Sequence, residues 1–169
     1  MTKTLILGGA RSGKSTYALK LGEMHEQHRI FIATAQPLDQ EMRERIASHK
    51  AVRSNKWETI EAPLDLSDAI ASCQNDDAFI VVDCLTLWLS NLMHQDLDVD
   101  GEVQRLISSF NSSAASIVFV SNELGLGLVP ETPLGRSFRD EQGRLNQLIA
   151  SECDIVEFIA AGLPLRLKG

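Results

Sequence analysis

Gly8-Gly9-Ala10-Arg11-Ser12-Gly13-Lys14-Ser15 decides the reading of this chain, because it satisfies G-x-x-x-x-G-K-[ST] in full. The glycines let the backbone fold tightly, so that successive N–H groups converge on one anionic oxygen cluster. Lys14 reaches the β- and γ-phosphates, and the Ser15 hydroxyl can ligate Mg²⁺. The flanks agree with this. Thr4-Leu5-Ile6-Leu7 reads as a short buried strand, and Ser12 to about Met24 as a helix with Tyr17, Leu21 and Met24 on one face. Strand, glycine loop and helix in that order place phosphates on a helix N-terminus. The stretch implies a nucleoside-triphosphate site.

The rest of the chain is read around that loop. A length of 169 residues suits one domain (1–169), and 44% hydrophobic with 23% charged residues is ordinary for a globular protein. No run approaches the roughly 20 apolar residues of a membrane span; the longest, Ala78 to Leu89, is interrupted by Asp83. The N-terminus lacks a basic region followed by an apolar one, so no secretory signal is read. Cys73, Cys84 and Cys153 form no CxxC and no metal spacing, and the expectation is a cytoplasmic protein with reduced thiols. A net charge of −7 disfavours a general nucleic-acid binder. The distribution is more telling, since Trp57 to Glu102 holds eleven acidic residues and no lysine or arginine. Arg43, Arg45, Lys50, Arg53 and Lys56 form a basic island just before it, which suits a phosphorylated ligand.

Apolar, β-branched runs at Leu5–Leu7, Arg29–Ala33, Phe79–Val82, Ile117–Val120 and Ile155–Ile159 read as buried parallel strands, with a short terminal strand at Leu165–Lys168. Helical periodicity fits Asp39 to about Val52, Gly101 to about Ser113, and Leu134 to about Ser151. In the last, Leu134, Phe138, Leu145, Leu148 and Ile149 form one stripe. The expectation is an α/β, P-loop NTPase-like single domain, its mostly parallel sheet covered by helices on both faces. Met93 to Gly101 reads as an acidic surface loop. Asn122 to Gly135, rich in Gly and Pro, reads as a functional loop at the carboxyl end of the sheet.

Three acidic or basic positions carry candidate chemistry. Asp83, closing the strand Phe79–Val82, is placed to hold Mg²⁺ together with Ser15. Glu61 follows a weaker apolar patch and by itself reads as a surface acid. His49 shares a helix face with Met42, Ile46 and Arg53. Its cationic neighbours Arg45, Lys50 and Arg53 disfavour imidazolium, and a neutral ring is what attack on phosphorus requires. From these residues alone His49 is either that nucleophile or a structural histidine.

At this point the sequence resembles the bifunctional adenosylcobinamide kinase/adenosylcobinamide-phosphate guanylyltransferase family of cobalamin biosynthesis, essentially end to end. The residues that carry the resemblance are 8–15, Ala33-Thr34-Ala35, Arg45-Ile46-x-x-His49-x-x-x-Arg53 leading to Trp57, and Val82-Asp83-Cys84-Leu85-Thr86-Leu87-Trp88 with Asn91-Leu92. They continue with Ser121-Asn122-Glu123-x-Gly125-x-Gly127-x-Val129-Pro130, Gly135-Arg136-x-Phe138-Arg139-Asp140, Gly143-Arg144-x-Asn146-Gln147 and Gly162-Leu163-Pro164-Leu165. The resemblance implies two reactions. ATP or GTP phosphorylates adenosylcobinamide; GTP then delivers GMP to the resulting phosphate through a guanylyl–histidine, giving adenosylcobinamide-GDP and pyrophosphate. His49 is the matching histidine, with Ser48 where some relatives carry a second one.

It further implies Lys14 as a catalytic residue, and nucleotide contacts from Gly8, Gly9, Ala10, Arg11, Ser12, Gly13, Lys14 and Ser15, from Ala33, Thr34 and Ala35, and from Lys50, Ala51, Val52, Arg53, Glu61 and Asp83. The Gly125–Gly127 loop, Arg136 and Arg139 fall to the corrinoid side or a neighbouring subunit, and a homotrimer is implied. Two other readings stay open from residues alone. One is a small-metabolite P-loop kinase without nucleotidyl transfer. The other is a GTP switch, which the absence of Asn-Lys-x-Asp opposes.

Overall fold

Strand pleating explains how continuous apolar runs serve two cores at once. In the computed structural model, which describes residues 1–25, 28–52, 55–73 and 78–169 (without the side chains of 45, 49, 51 and 52), seven strands form one sheet. They are β1 (Lys3–Gly8), β2 (His28–Ala33), β3 (Trp57–Glu61), β4 (Ala78–Asp83), β5 (Ser116–Val120), β6 (Ile155–Ala160) and β7 (Leu163–Lys168), in the spatial order β3-β2-β4-β5-β1-β6-β7. All pairings are parallel except β6 with β7. Leu5, Leu7, Ile30, Ile32, Ile80 and Val82 face one side, and Ile6, Phe31, Phe79 and Val81 the other. Every second residue changes face, so such a strand must be apolar throughout.

The larger core lies under α3 (Leu66–Ser72), α4 (Leu85–His94), α5 (Val99–Ser112) and α6 (Pro133–Glu152). Trp88, Phe110 and Phe119 are fully buried there, each contributing on the order of 2–3 kcal/mol by area. Trp88 donates from Nε1 to the Leu64 carbonyl at 2.9 Å, so its polar edge is satisfied. The smaller core lies under α1 (Lys14–Glu23), which buries Ala18, Leu19 and Gly22. A Cβ on Gly22 would stand 2.5 Å from Cη2 of Trp57, so the helix seats its one side-chain-free position on that ring. α2 (Gln40–Val52) joins β2 to the segment before β3.

Several expectations are corrected. Of Tyr17, Leu21 and Met24, the first two are half-buried against the smaller core but Met24 is 72% exposed, and the closest packing of α1 falls to its small residues, which fit the Trp57–Phe79 surface. β3 is an additional strand that runs in an edge position, burying Trp57 alone among its five residues. The acidic loop expected at 93–101 is mostly helix: α4 continues to His94, and α5 begins at Val99 with Asp98 accepting from the Gly101 amide at 3.2 Å. In α6 Leu134 and Leu148 are exposed, while Gln142 and Asn146 are buried beside Leu145 and Ile149. Leu145, Ile149 and the half-buried Phe138 keep part of the expected stripe, while Gln142 and Asn146 face Ser121 just past β5. β7 has all six residues exposed, among them Leu163, Leu165 and Leu167.

Candidate active site

Five strand ends open on one cavity of about 810 Å³. Parallel strands make this unavoidable, because their carboxyl ends, and the loops that follow, collect on one edge of the sheet. The loop after β1 forms the floor. Gly8 has φ 151°, and a Cβ there would lie 2.5 Å from the Ile159 carbonyl oxygen of β6. Gly13 has φ 101° and precedes the first turn of α1, which has no side-chain cap. A helix start whose amides are left for a ligand is an anion site. Ser12 Oγ is buried with no hydrogen-bond partner among the described residues.

Lys14 is only 6% exposed and donates from Nζ to the Gly9 carbonyl at 2.6 Å. Burial lowers its ammonium pKa, opposed by the neighbouring Cys84 and Asp83. Asp83 ends β4 on the cavity wall, and the Asp83–Cys84 peptide bond is cis. Cys84 has its thiol pushed up to about 12, chiefly by burial and then by the Asp83 carboxylate. It stays a thiol at neutral pH and has no nucleophilic character. Ser15 lines the same cavity as Asp83.

The opposite wall comes from β2, β3 and α2. Ala33, Ala35, Met42 and Ile46 line it, and at its mouth Lys50 Nζ meets Glu61 Oε1 at 3.0 Å. Both side chains of that pair are about half or more exposed, so the bridge is worth at most about 1 kcal/mol. A ligand phosphate could displace Glu61 from Lys50 at little cost. His49 belongs to α2 between Ile46 and Lys50, but its side chain lies outside the described residues. So do the side chains of Ala51 and Val52, and all of Arg53.

Of the expected site residues, Ala10 to Ser15, Ala33, Ala35, Lys50, Glu61 and Asp83 meet around one cavity. Gly8 and Gly9 support the loop without lining it. Thr34 does not line it either: it is 0% exposed and its hydroxyl is engaged with the backbone of Cys84. Arg136 folds its own loop by donating to the carbonyls of Pro130 and Glu131, at 3.1 and 2.7 Å. Arg139 sits 3.9 Å from Asp140, and neither arginine lines the cavity. The cavity also takes in Phe31, Leu87 and Val120, which were not expected as site residues, and Asn122, the first residue of the loop expected at the carboxyl end of the sheet. Only the sheet order brings them together, and a linear sequence carries no signal of that. Among the described residues no helix is long and apolar enough to cross a membrane, and the three cysteines are free and buried.

A family model described as cobinamide kinase / cobinamide phosphate guanyltransferase matches residues 4–167. The chain belongs to this family. It is 46% identical to the bifunctional adenosylcobalamin biosynthesis protein CobP of Pseudomonas aeruginosa, over 99% of this chain and 98% of that one. To the protein CobU of Escherichia coli, which bears the same bifunctional description, it is 36% identical over 97% and 98% of the two chains. Among solved structures it resembles a type III secretion system ATPase (TM-score 0.62, 12% identity, 98% of this chain and 56% of that one). It also resembles the RadB recombinase (TM-score 0.57, 13% identity, 93% and 73%). At such identities these two bear on the fold alone, which is that of P-loop NTPases. Membership of the family makes the chain a bifunctional enzyme of cobalamin biosynthesis, a kinase and a guanylyltransferase.

Proposed function

We infer that both reactions run in the one cavity. In the first, the aminopropanol hydroxyl of adenosylcobinamide is phosphorylated by ATP or GTP. In the second, His49 attacks the α-phosphorus of GTP, holds GMP as a phosphoramidate and passes it to adenosylcobinamide phosphate. The observation that carries this reading is that one cavity joins the Gly8–Ser15 loop and Asp83 to the face of α2 that bears Met42, Ile46 and Lys50. His49 is on that helix. On this reading a triphosphate anchored on the floor turns its α-phosphorus toward α2.

Each residue then has a task. The loop amides and the uncapped start of α1 bind the phosphates. Lys14 neutralises charge on the β- and γ-phosphates as pyrophosphate or a nucleoside diphosphate departs. Ser15 and Asp83 fit a divalent ion, which would supply charge neutralisation between phosphate oxygens. Among the described residues no group of three or more His, Cys, Asp or Glu is arranged to hold a metal ion. One carboxylate, one hydroxyl, phosphate oxygens and water is a donor set that suits Mg²⁺ rather than zinc. Lys50 and Glu61 lie where the nucleoside end emerges. The corrinoid, larger than a nucleotide, presents only its arm to the cavity. We place the enzyme in the cytoplasm and assign it a homotrimer, for which the exposed leucines of β7 offer an apolar edge.

The test uses the whole protein with α-labelled GTP and Mg²⁺, resolved under denaturing conditions. The expected result is an acid-labile, base-stable label that is lost in His49→Ala. An active kinase that never takes up label would leave a P-loop kinase without nucleotidyl transfer.

A further inference from the structure

Asn122 follows the end of β5 and lines the cavity. β5 lies between β4 and β1, and Val120 pairs in register with Asp83 on one side and Ile6 on the other. Two residues on, extended backbone has risen by about 6–7 Å. Asn122 therefore sits above the level of Asp83, beside the start of the phosphate loop. The Glu123 amide donates to the Gly8 carbonyl at 3.1 Å, which fixes the distance between loop and strand end.

The backbone of Asn122 is held from both sides. Its amide donates to Thr86 Oγ1 at 2.9 Å, and its carbonyl accepts from Asn146 Nδ2 at 3.0 Å. Asn146 is itself locked: Ser121 Oγ donates to its Oδ1 at 2.7 Å, and Gln142 Nε2 donates to that oxygen at 3.0 Å and to Ser121 Oγ at 2.9 Å. Ser121 and Gln142 are 0% exposed and Asn146 is 5% exposed. Burying three polar side chains costs stability unless they are well bonded, so the network is an investment in holding this strand end still. The side chain of Asn122 makes no hydrogen bond among the described residues, and Asn122 lines the cavity. A strand end hydrogen-bonded through both its amide and its carbonyl thus presents a side-chain amide to the cavity.

We propose that the Asn122 side-chain amide donates to the γ-phosphate of the bound triphosphate, making Asn122 a catalytic residue of the kinase step. This rests on the reading of the cavity as the triphosphate site. In that step the acceptor hydroxyl oxygen bonds to γ-phosphorus, and the bond from γ-phosphorus to the β–γ bridging oxygen breaks. The electron pair leaves on the nucleoside diphosphate, and the hydroxyl proton passes to water. Charge spreads over the three equatorial γ-oxygens during transfer, and a fixed neutral donor stabilises it without reorganising. The guanylyl step breaks the α–β linkage instead. There the same contact touches a remote phosphate equally in ground and transition states, which strengthens binding and leaves turnover alone.

The two steps therefore give opposite signatures in one variant. Folded Asn122→Ala, checked by its melting curve, should lose about 10–100-fold in kinase kcat. Its single-turnover guanylylation by GTP should keep its saturating rate within about twofold while half-saturation rises severalfold. Asn122→Asp, which sets a carboxylate against phosphate, should lower the triphosphate-to-diphosphate affinity ratio severalfold relative to wild type. Kinase kcat within about twofold of wild type, or equal loss of both saturating rates, would overturn the proposal. So would an unchanged triphosphate-to-diphosphate affinity ratio in Asn122→Asp. A wild-type protein that never labels with GMP would instead remove the His49 reading, while the kinase and binding arms still decide the role of Asn122.

Discussion

Thr34 and Cys84 exchange two hydrogen bonds: the Thr34 hydroxyl donates to the Cys84 carbonyl and accepts from the Cys84 amide, both at 2.8 Å. This pair clasps the carboxyl ends of β2 and β4, the strands that carry the two walls of the cavity. Asn91 adds to it by donating to the carbonyls of Thr34 and Pro63 at 2.8 and 2.9 Å. Thr34→Val, nearly the same in shape, would leave the buried Cys84 N–H without a partner, while the Cys84 carbonyl would keep the Trp88 amide at 3.2 Å. We expect a loss of about 1–3 kcal/mol in urea unfolding, with Thr34→Ser losing much less. Equal stability of the Val variant would show the clasp to be incidental.

Gly22 makes a second test of packing. A methyl at that position must displace the Trp57 ring, which also meets Phe31 and Phe79 edge-on with centroids 6.5 Å away in each case. Gly22→Ala should cost about 1–3 kcal/mol despite its gain in helix propensity. The double variant with Trp57→Leu should recover part of that loss, and a strictly additive cycle would contradict the contact.

Lys14→Ala should lower both the kinase and the guanylyl transfer by at least about 100-fold, because each breaks a bond within the triphosphate that Lys14 neutralises. His49→Ala should abolish guanylyl transfer and leave most of the kinase activity. Parallel assays on the two variants distinguish a shared cation from a dedicated nucleophile.

Alkaline pH gives a fourth expectation. Burial holds the thiols of Cys84 and Cys153 up at about 12, against 9.0 for a free thiol. Between these values the unfolded chain has released those protons while the folded chain retains them. Fewer protons on the unfolded state means that stability falls as pH rises, by up to about 1.4 kcal/mol per pH unit for each thiol. Burial lowers the pKa of Lys3 and Lys14, and these act in the opposite sense at pH just below 10.5. Comparing the wild type with a Cys84→Ala/Cys153→Ala variant isolates the thiols. Urea midpoints measured from pH 8 to 10.5 should fall more steeply in the wild type.

How far the fold can be read in advance follows from how local each signal is. β1, β4 and β5 are evident because strands buried on both faces must be apolar throughout. α4 hides in the same signal: Leu85, Trp88, Leu89 and Leu92 continue the apolar run of β4, and a helix buried against other helices shows no polar face. β3 shows too little, since its edge position buries Trp57 alone. In α6 the polar Gln142 and Asn146 belong to the interior because their partner Ser121 lies over twenty residues away in sequence. The site divides in the same manner. Lys14, Ser15 and Asp83 are legible because loop and strand end fix them locally, and Asn122 is legible only as part of a loop at the sheet's carboxyl end, whereas Phe31 joins them only through the order of strands.

The turn between β6 and β7 touches the phosphate loop directly. The Gly162 amide donates to the Ser12 carbonyl at 2.8 Å, and a Cβ on Gly13 would reach the Gly162 Cα at 3.3 Å. The outermost, fully exposed strand is therefore mechanically continuous with the reacting centre. A sideways pull on it, from a neighbour adding to its open edge or a slip in its pairing, would be transmitted as a change in the pitch of the cradle beneath the triphosphate.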